Sequence, residues 1–257
     1  MKQHISVKNL CFTYDKKEVL KDISLGFDKG KFYSVIGPNG SGKSTFIKNI
    51  SKILTPNQKS IFVGDRDICS MNSKNLAQIM SVIPQSIIID YDFTVFDIVM
   101  MGRSPYKRRF EDFNQADKKI VEKYMRATNT WELRDKPVTE LSGGEAQRVV
   151  AARALSQEAD IILLDEPISH LDIQYQIEFL SIFKSLKNDK VIIAVLHDLN
   201  LASIFSDEII LISEGQVKAI GKPWEVISKE NIKSVYNLLV EVIENPISKC
   251  PYIIPVV

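Results

Sequence analysis

The segment Gly37-Pro38-Asn39-Gly40-Ser41-Gly42-Lys43-Ser44, continued by Thr45, constrains this chain more than any other stretch. It matches G-x-x-x-x-G-K-[ST] and lies between a β-branched run at 32–36 and a helical pattern at 45–53, the strand-loop-helix context of a phosphate-binding loop. Glycines let backbone N–H groups turn inward around phosphate oxygens, and the helix start adds positive partial charge. Lys43 can reach β- and γ-phosphates, and the Ser44 hydroxyl can hold Mg2+. The G-x-G-x-x-G spacing of a dinucleotide loop is absent.

Around this loop, short apolar runs at 5–12, 32–36, 61–63, 80–83, 161–165, 191–196, 208–212 and 217–220 alternate with helical patterns, which predicts an α/β core with a central sheet. From 86 to 157 the strand pattern gives way to helices at 94–101, 114–128 and 142–156, read as an inserted helical subdomain. The main domain then spans 1–221, and 222–257 forms an extension with a helix at 230–239 and a weakly structured, proline-containing tail.

Lys plus Arg number 33 and Asp plus Glu 32, so no global field draws the chain to nucleic acid or an anionic membrane. The longest apolar stretches end at Asp165 and His197, too short to span a bilayer. The first 18 residues carry Lys2, Lys8, Asp15, Lys16 and Lys17, which excludes a signal-peptide core and points to the cytoplasm. Cys11, Cys69 and Cys250 lack metal or redox spacing and read as inert thiols.

Two further clusters carry chemistry. The apolar run ending in Asp165-Glu166 delivers two carboxylates at a strand's C-terminal end, where α/β sheets bind ligands. Asp165 suits a Mg2+ ligand and Glu166 a base that polarises water. Leu141-Ser142-Gly143-Gly144-Glu145 has the S-x-x-E spacing of a capping box, and its glycines also expose N–H groups that favour an anion. The two readings are compatible.

Taken in order and spacing, the phosphate loop, Gln85, Leu141 to Glu145, Asp165-Glu166, Ser169-His170-Leu171-Asp172 and His197 resemble the ATP-binding-cassette ATPases over roughly residues 1–221. The resemblance implies a P-loop NTPase fold: a RecA-like sheet with an N-terminal antiparallel β subdomain, plus the inserted helical subdomain carrying the signature Leu141 to Glu145. It implies Tyr14 stacked on adenine, Gln85 touching Mg2+ and water, His197 as the switch beside the γ-phosphate, and Ser169 to Asp172 as a loop crossing a dimer interface, with His170 structural. It implies ATP and Mg2+ as ligands. It further implies a homodimer in which each ATP lies between one chain's phosphate loop and the other's Ser142 to Gly144, since this chain has one of each.

Met101-Gly102-Arg103-Ser104-Pro105-Tyr106 and the stretch from Asp165 to Ile173 resemble the subgroup that imports iron-siderophores, haem and cobalamin. That implies a membrane permease, an external binding protein reached only indirectly, no nucleic acid, and a place on the cytoplasmic face of the membrane. Ile168, Tyr175, Glu145 and Ser60 depart from the common pattern. Lys107, Arg108 and Arg109 read as a solvated basic face. A ribosome- or DNA-acting cassette would carry two cassettes or a long coiled-coil insertion, and a metabolite kinase would leave the signature and His197 unexplained.

Overall fold

Alternation along the strands sorts the central sheet's side chains onto two buried faces. The structure, a computed structural model, describes residues 4–85, 93–169 and 171–256. Strands β3 (Lys31–Ile36), β6 (Met80–Ile83), β7 (Ile161–Asp165), β8 (Val191–Val195), β9 (Glu208–Ser213) and β10 (Gln216–Gly221) form one sheet in the order β10-β9-β3-β8-β7-β6. All pairs are parallel except β9 with β10. Phe32, Ile36, Ile162, Leu164, Ile192 and Leu211 belong to one apolar cluster, while Tyr33, Val35, Leu163, Ile193 and Ile212 belong to another. A parallel sheet covered on both faces needs such continuous apolar strands.

The second face is covered by helix α1 (Lys43–Ile50) and by a smaller antiparallel sheet of β1 (Ile5–Tyr14), β2 (Lys17–Phe27), β4 (Ile61–Val63) and β5 (Arg66–Asp67), ordered β2-β1-β4-β5. Strand β2 is not among the sequence-predicted runs. Its polar side alternates with Leu20, Ile23, Leu25 and Phe27, and register shifts in its partner β1 blur the period. Helix α2 (Ser73–Ile79) precedes β6.

A third cluster lies among helices α3 (Val95–Met100), α4 (Gln115–Ala127) and α5 (Gly143–Ser156). Each begins at the residue whose side chain closes a capping box: Thr94, Asn114 and Ser142. Helix α5 joins two cores, for Val149 and Ala152 face the helical cluster while Val150, Ala151, Ala154 and Leu155 face the sheet. The single glycine of the Gly102-Arg103 motif lets this segment approach α5, since a Cβ there would clash with the Arg153 carbonyl oxygen.

The basic face expected at Lys107 is corrected by the structure. Lys107 Nζ lies 2.6 Å from Asp117 Oδ2, and Arg103, 7% exposed, reaches Asp117 Oδ1 at 3.2 Å and the Ser156 carbonyl at 2.9 Å. One buried carboxylate holds two cations because neither could be desolvated alone.

The remaining helices are α6 (Ile173–Leu186), α7 (Leu199–Phe205), α8 (Pro223–Val226) and α9 (Lys229–Tyr236). Helix α9 ends earlier than expected because Asn237 takes a left-handed cap with φ 52°. The tail expected to be weakly structured is a hairpin, β11 (Val240–Glu244) with β12 (Pro251–Pro255). Pro251 and Pro255 mark the two ends of β12, where no interior ladder bond is lost, and Pro246 lies in the turn between the strands. Among the described residues no helix is long and apolar enough to cross a membrane.

Candidate functional site

The phosphate loop connects β3 to α1 at the C-terminal edge of the sheet. Gly37 has φ 151°, and a Cβ there would stand 2.0 Å from the Ile212 carbonyl oxygen, so any side chain would push the loop off β9. The Gly215 N–H donates to the Ser41 carbonyl at 3.0 Å, tying the loop to the β9-β10 turn. Lys43 is only 4% exposed and its ammonium folds back onto the Gly37 and Pro38 carbonyls at 2.8 and 2.9 Å. Burial lowers its pKa, against the pull of Glu166 and Asp165. An ammonium held this way is placed to exchange two carbonyls for phosphate oxygens.

Tyr14, Asn39, Gly40, Gly42, Lys43, Ser44, Thr45 and Glu166 line a cleft of about 380 Å3, with Lys17 and Val19 from β2. Tyr14 is 44% exposed and stands edge-on to Phe12 with ring centroids 5.0 Å apart. Sequence reasoning missed Lys17 and Val19 together with their strand.

Asp165 ends β7 at 6% exposure, and its Oδ1 has no hydrogen-bond partner. Burial raises its pKa, while the Ser44 hydroxyl and Lys48 act in the opposite direction. A buried carboxylate oxygen without a donor is costly unless a cation or donor completes it. Ser44 and Asp165 therefore fit a small hard cation. Among the described residues no three His, Cys, Asp or Glu side chains gather to hold a metal, so its other ligands would be amide, hydroxyl, phosphate or water oxygens.

Glu166 sits at φ 51°, a left-handed conformation costly for a non-glycine residue. Its carboxylate is gripped from both sides. Gln85 Nε2 donates to Oε2 at 2.6 Å, and His197 Nε2 lies 2.8 Å from Oε1. Three residues 31 or more positions apart in sequence thus meet at the ends of β6, β7 and β8. The Ser169 hydroxyl donates to the Glu166 carbonyl at 3.2 Å, and Leu171 packs on the sheet core. Asp172 begins α6 without a side-chain cap bond. His170 lies outside the described residues.

The signature stands elsewhere. Ser142 and Gly143 are exposed, and Leu141, Ser142, Gly143, Gly144 and Glu145 are not among the residues lining the cleft. The Ser142 N–H and hydroxyl both donate to Glu145 Oε2 at 2.8 Å, and these bonds hold the Glu145 carboxyl below the usual range. One contact that sequence spacing did not suggest steadies this helix start, and the bare Gly144 leaves room for a neighbouring ring. Gln147 Nε2 donates to the Pro167 carbonyl at 2.6 Å, just beyond Glu166, and a carbon on Gly144 would stand 3.2 Å from the Tyr175 ring. The departure at Tyr175 is thus a packing choice under the signature.

Comparison with known proteins identifies the family and the fold. Residues 20–169 match the family described as ABC transporter. The chain is 34% identical to the petrobactin import ATP-binding protein FpuD of Bacillus anthracis, over 99% of this chain and 94% of that one. It is 35% identical to the ferric enterobactin transport ATP-binding protein FepC of Escherichia coli, over 96% and 92%. A solved ABC transporter assigned to the metal-chelate type, in an inward-facing conformation, superposes with a TM-score of 0.85 at 27% identity, over 100% of this chain and 98% of that one. With a phosphate loop, a gripped glutamate and a capped signature helix on one such fold, this chain belongs to the ABC transporter family, as an ATP-hydrolysing cassette.

Proposed function

We propose that this chain is the ATPase subunit of an importer that carries an iron chelate of the siderophore type through a membrane permease. The observation that carries the reading is Glu166 held between Gln85 and His197 at the mouth of the phosphate-loop cleft. The names of relatives that import petrobactin and ferric enterobactin support the cargo class.

In this reading Tyr14 stacks on adenine, and the backbone of Gly37, Pro38, Asn39, Gly40, Ser41, Gly42 and Thr45 surrounds the phosphates while Lys43 meets β- and γ-oxygens. Ser44, Asp165 and Gln85 hold Mg2+, which when bound offsets phosphate charge. Glu166 takes a proton from the attacking water, with its carboxylate aimed by Gln85 and His197. The His197 imidazole has the remaining capacity to face the γ-phosphate.

Ser142, Gly143 and Gly144 serve the ATP of a second copy, across an interface formed by Ser169, His170, Leu171 and Asp172. The cassette dimer sits on the cytoplasmic face of the membrane against its permease, and the external binding protein acts only through that permease. No nucleic acid takes part. Purification from detergent-solubilised native membranes, with mass spectrometry and uptake of labelled ferric chelates in a deletion strain, tests the reading. Recovery of a many-span permease with lost uptake is expected. Recovery of soluble partners alone, with uptake intact, overturns the transport role.

A further inference from the structure

The C-terminal hairpin is fastened to the helix that follows His197. Ile253 pairs with Val242 in the β11-β12 ladder, yet its backbone bonds go to a side chain of α7. The Ile253 N–H donates to Asn200 Oδ1 at 2.8 Å, and Asn200 Nδ2 donates to the Ile253 carbonyl at 3.4 Å. At an open strand edge every second residue turns one donor and one acceptor outward, and an amide side chain can satisfy both at once. One turn further, the wholly buried Ser203 hydroxyl donates to the Pro251 carbonyl at 2.7 Å.

Helix α7 has seven residues, too few to hold its own shape or direction without packing. His197 lies between this helix and β8, whose end is held where the Leu196 N–H donates to the Val35 carbonyl at 3.2 Å. The far end of α7 is tied to the sheet by Ser206 and Ser34, hydroxyl to hydroxyl at 2.5 Å. Its near end, beside His197, is where Asn200 meets the hairpin.

We infer that Asn200 is a positioning residue for ATP hydrolysis: its paired bonds to Ile253 let the C-terminal hairpin hold the first turn of α7, and with it His197, against Glu166. The inference rests on the roles proposed above for His197 and Glu166. It makes residues 240–256 part of the working machinery, although none of them lines the nucleotide cleft.

The test is ATP turnover by the full-length chain carrying Asn200→Ala, Asn200→Asp, His197→Ala, or Asn200→Ala with His197→Ala. Asn200→Ala should lower kcat about fivefold to tenfold, the kinetic equivalent of losing one or two neutral hydrogen bonds, with KM for ATP unchanged. Asn200→Asp keeps the acceptor for the Ile253 N–H but turns a carboxylate oxygen onto the Ile253 carbonyl, so it should recover only part of that loss. With His197 already alanine, Asn200→Ala should cost nothing more. An unchanged kcat, a KM rising in step, or an equal loss without His197 overturns the inference. If Asn200→Ala does not fold, Ser203→Ala, which removes the other tie to the hairpin, carries the same comparison with and without His197→Ala. Full turnover of His197→Ala would overturn the site reading itself, and with it the inference, a result visible without touching Asn200.

Discussion

The phosphate-loop end and the signature end of this chain are built on opposite terms. At the first, Lys43 and Asp165 are buried, the ammonium sits on two carbonyls, and Asp165 Oδ1 waits without a donor. At the second, Ser142 and Gly143 are exposed and the helix cap is satisfied by Glu145 of the same turn. One end stores unmet polar demand in low dielectric, where a ligand's charge counts most. The other is complete as a helix start and offers only outward N–H dipoles. In the reading proposed above, a chain built this way binds nucleotide by itself and takes a second copy to finish the site.

The largest test of that contrast removes the base. Glu166→Gln should lower turnover by roughly a hundredfold to ten-thousandfold, the range of general-base catalysis, while equilibrium ATP binding persists. Full turnover would break the assignment of chemistry to the phosphate-loop end.

A sharper test sets one substitution at each end. Lys43→Ala should weaken ATP binding to the chain by roughly tenfold to a hundredfold, as expected for a lost charged hydrogen bond. Ser142→Arg should leave that affinity unchanged and abolish the ATP-induced dimer, read by light scattering in a Glu166→Gln background. Intact dimerisation would show that the signature end has no role between copies.

The smallest effect concerns the cap. Hydrogen bonds from the Ser142 N–H and hydroxyl lower the Glu145 pKa from its ordinary 4.5. A carboxylate lowered on folding contributes stability that is present above the ordinary value and lost as pH falls through the folded one. The urea midpoint of the wild type should therefore exceed that of Glu145→Gln near neutrality. The gap should close as pH drops below 4.5. A gap independent of pH would remove the charge from the cap.

Much of the site was readable because its signals are local. The loop from Gly37 to Ser44, the acids ending β7 and the S-x-x-E cap each declare themselves within ten residues. The α/β class followed from alternating apolar runs, and the two clusters show why, since each strand must feed both faces. Strand β2 and the C-terminal hairpin were not readable. Strand β2 is held by pairing with β1, and the hairpin by its two strands pairing and by α7, while register shifts or terminal prolines weaken the periodic signal. Lys107 was misread for a related reason, since its counterion Asp117 lies on another element.

By itself the sequence determined that this chain binds phosphate, that its carboxylates stand at a strand end, and that its signature begins a helix. These are properties of short windows, where backbone conformation and side-chain spacing are set by neighbours within a turn. Only the tertiary structure decided that Glu166 is gripped by Gln85 and His197, that Gln147 links the signature helix to Pro167, and that Asn200 receives the hairpin. Those contacts join residues tens of positions apart, and their existence depends on which sheet edge and helix face the packed core brings together.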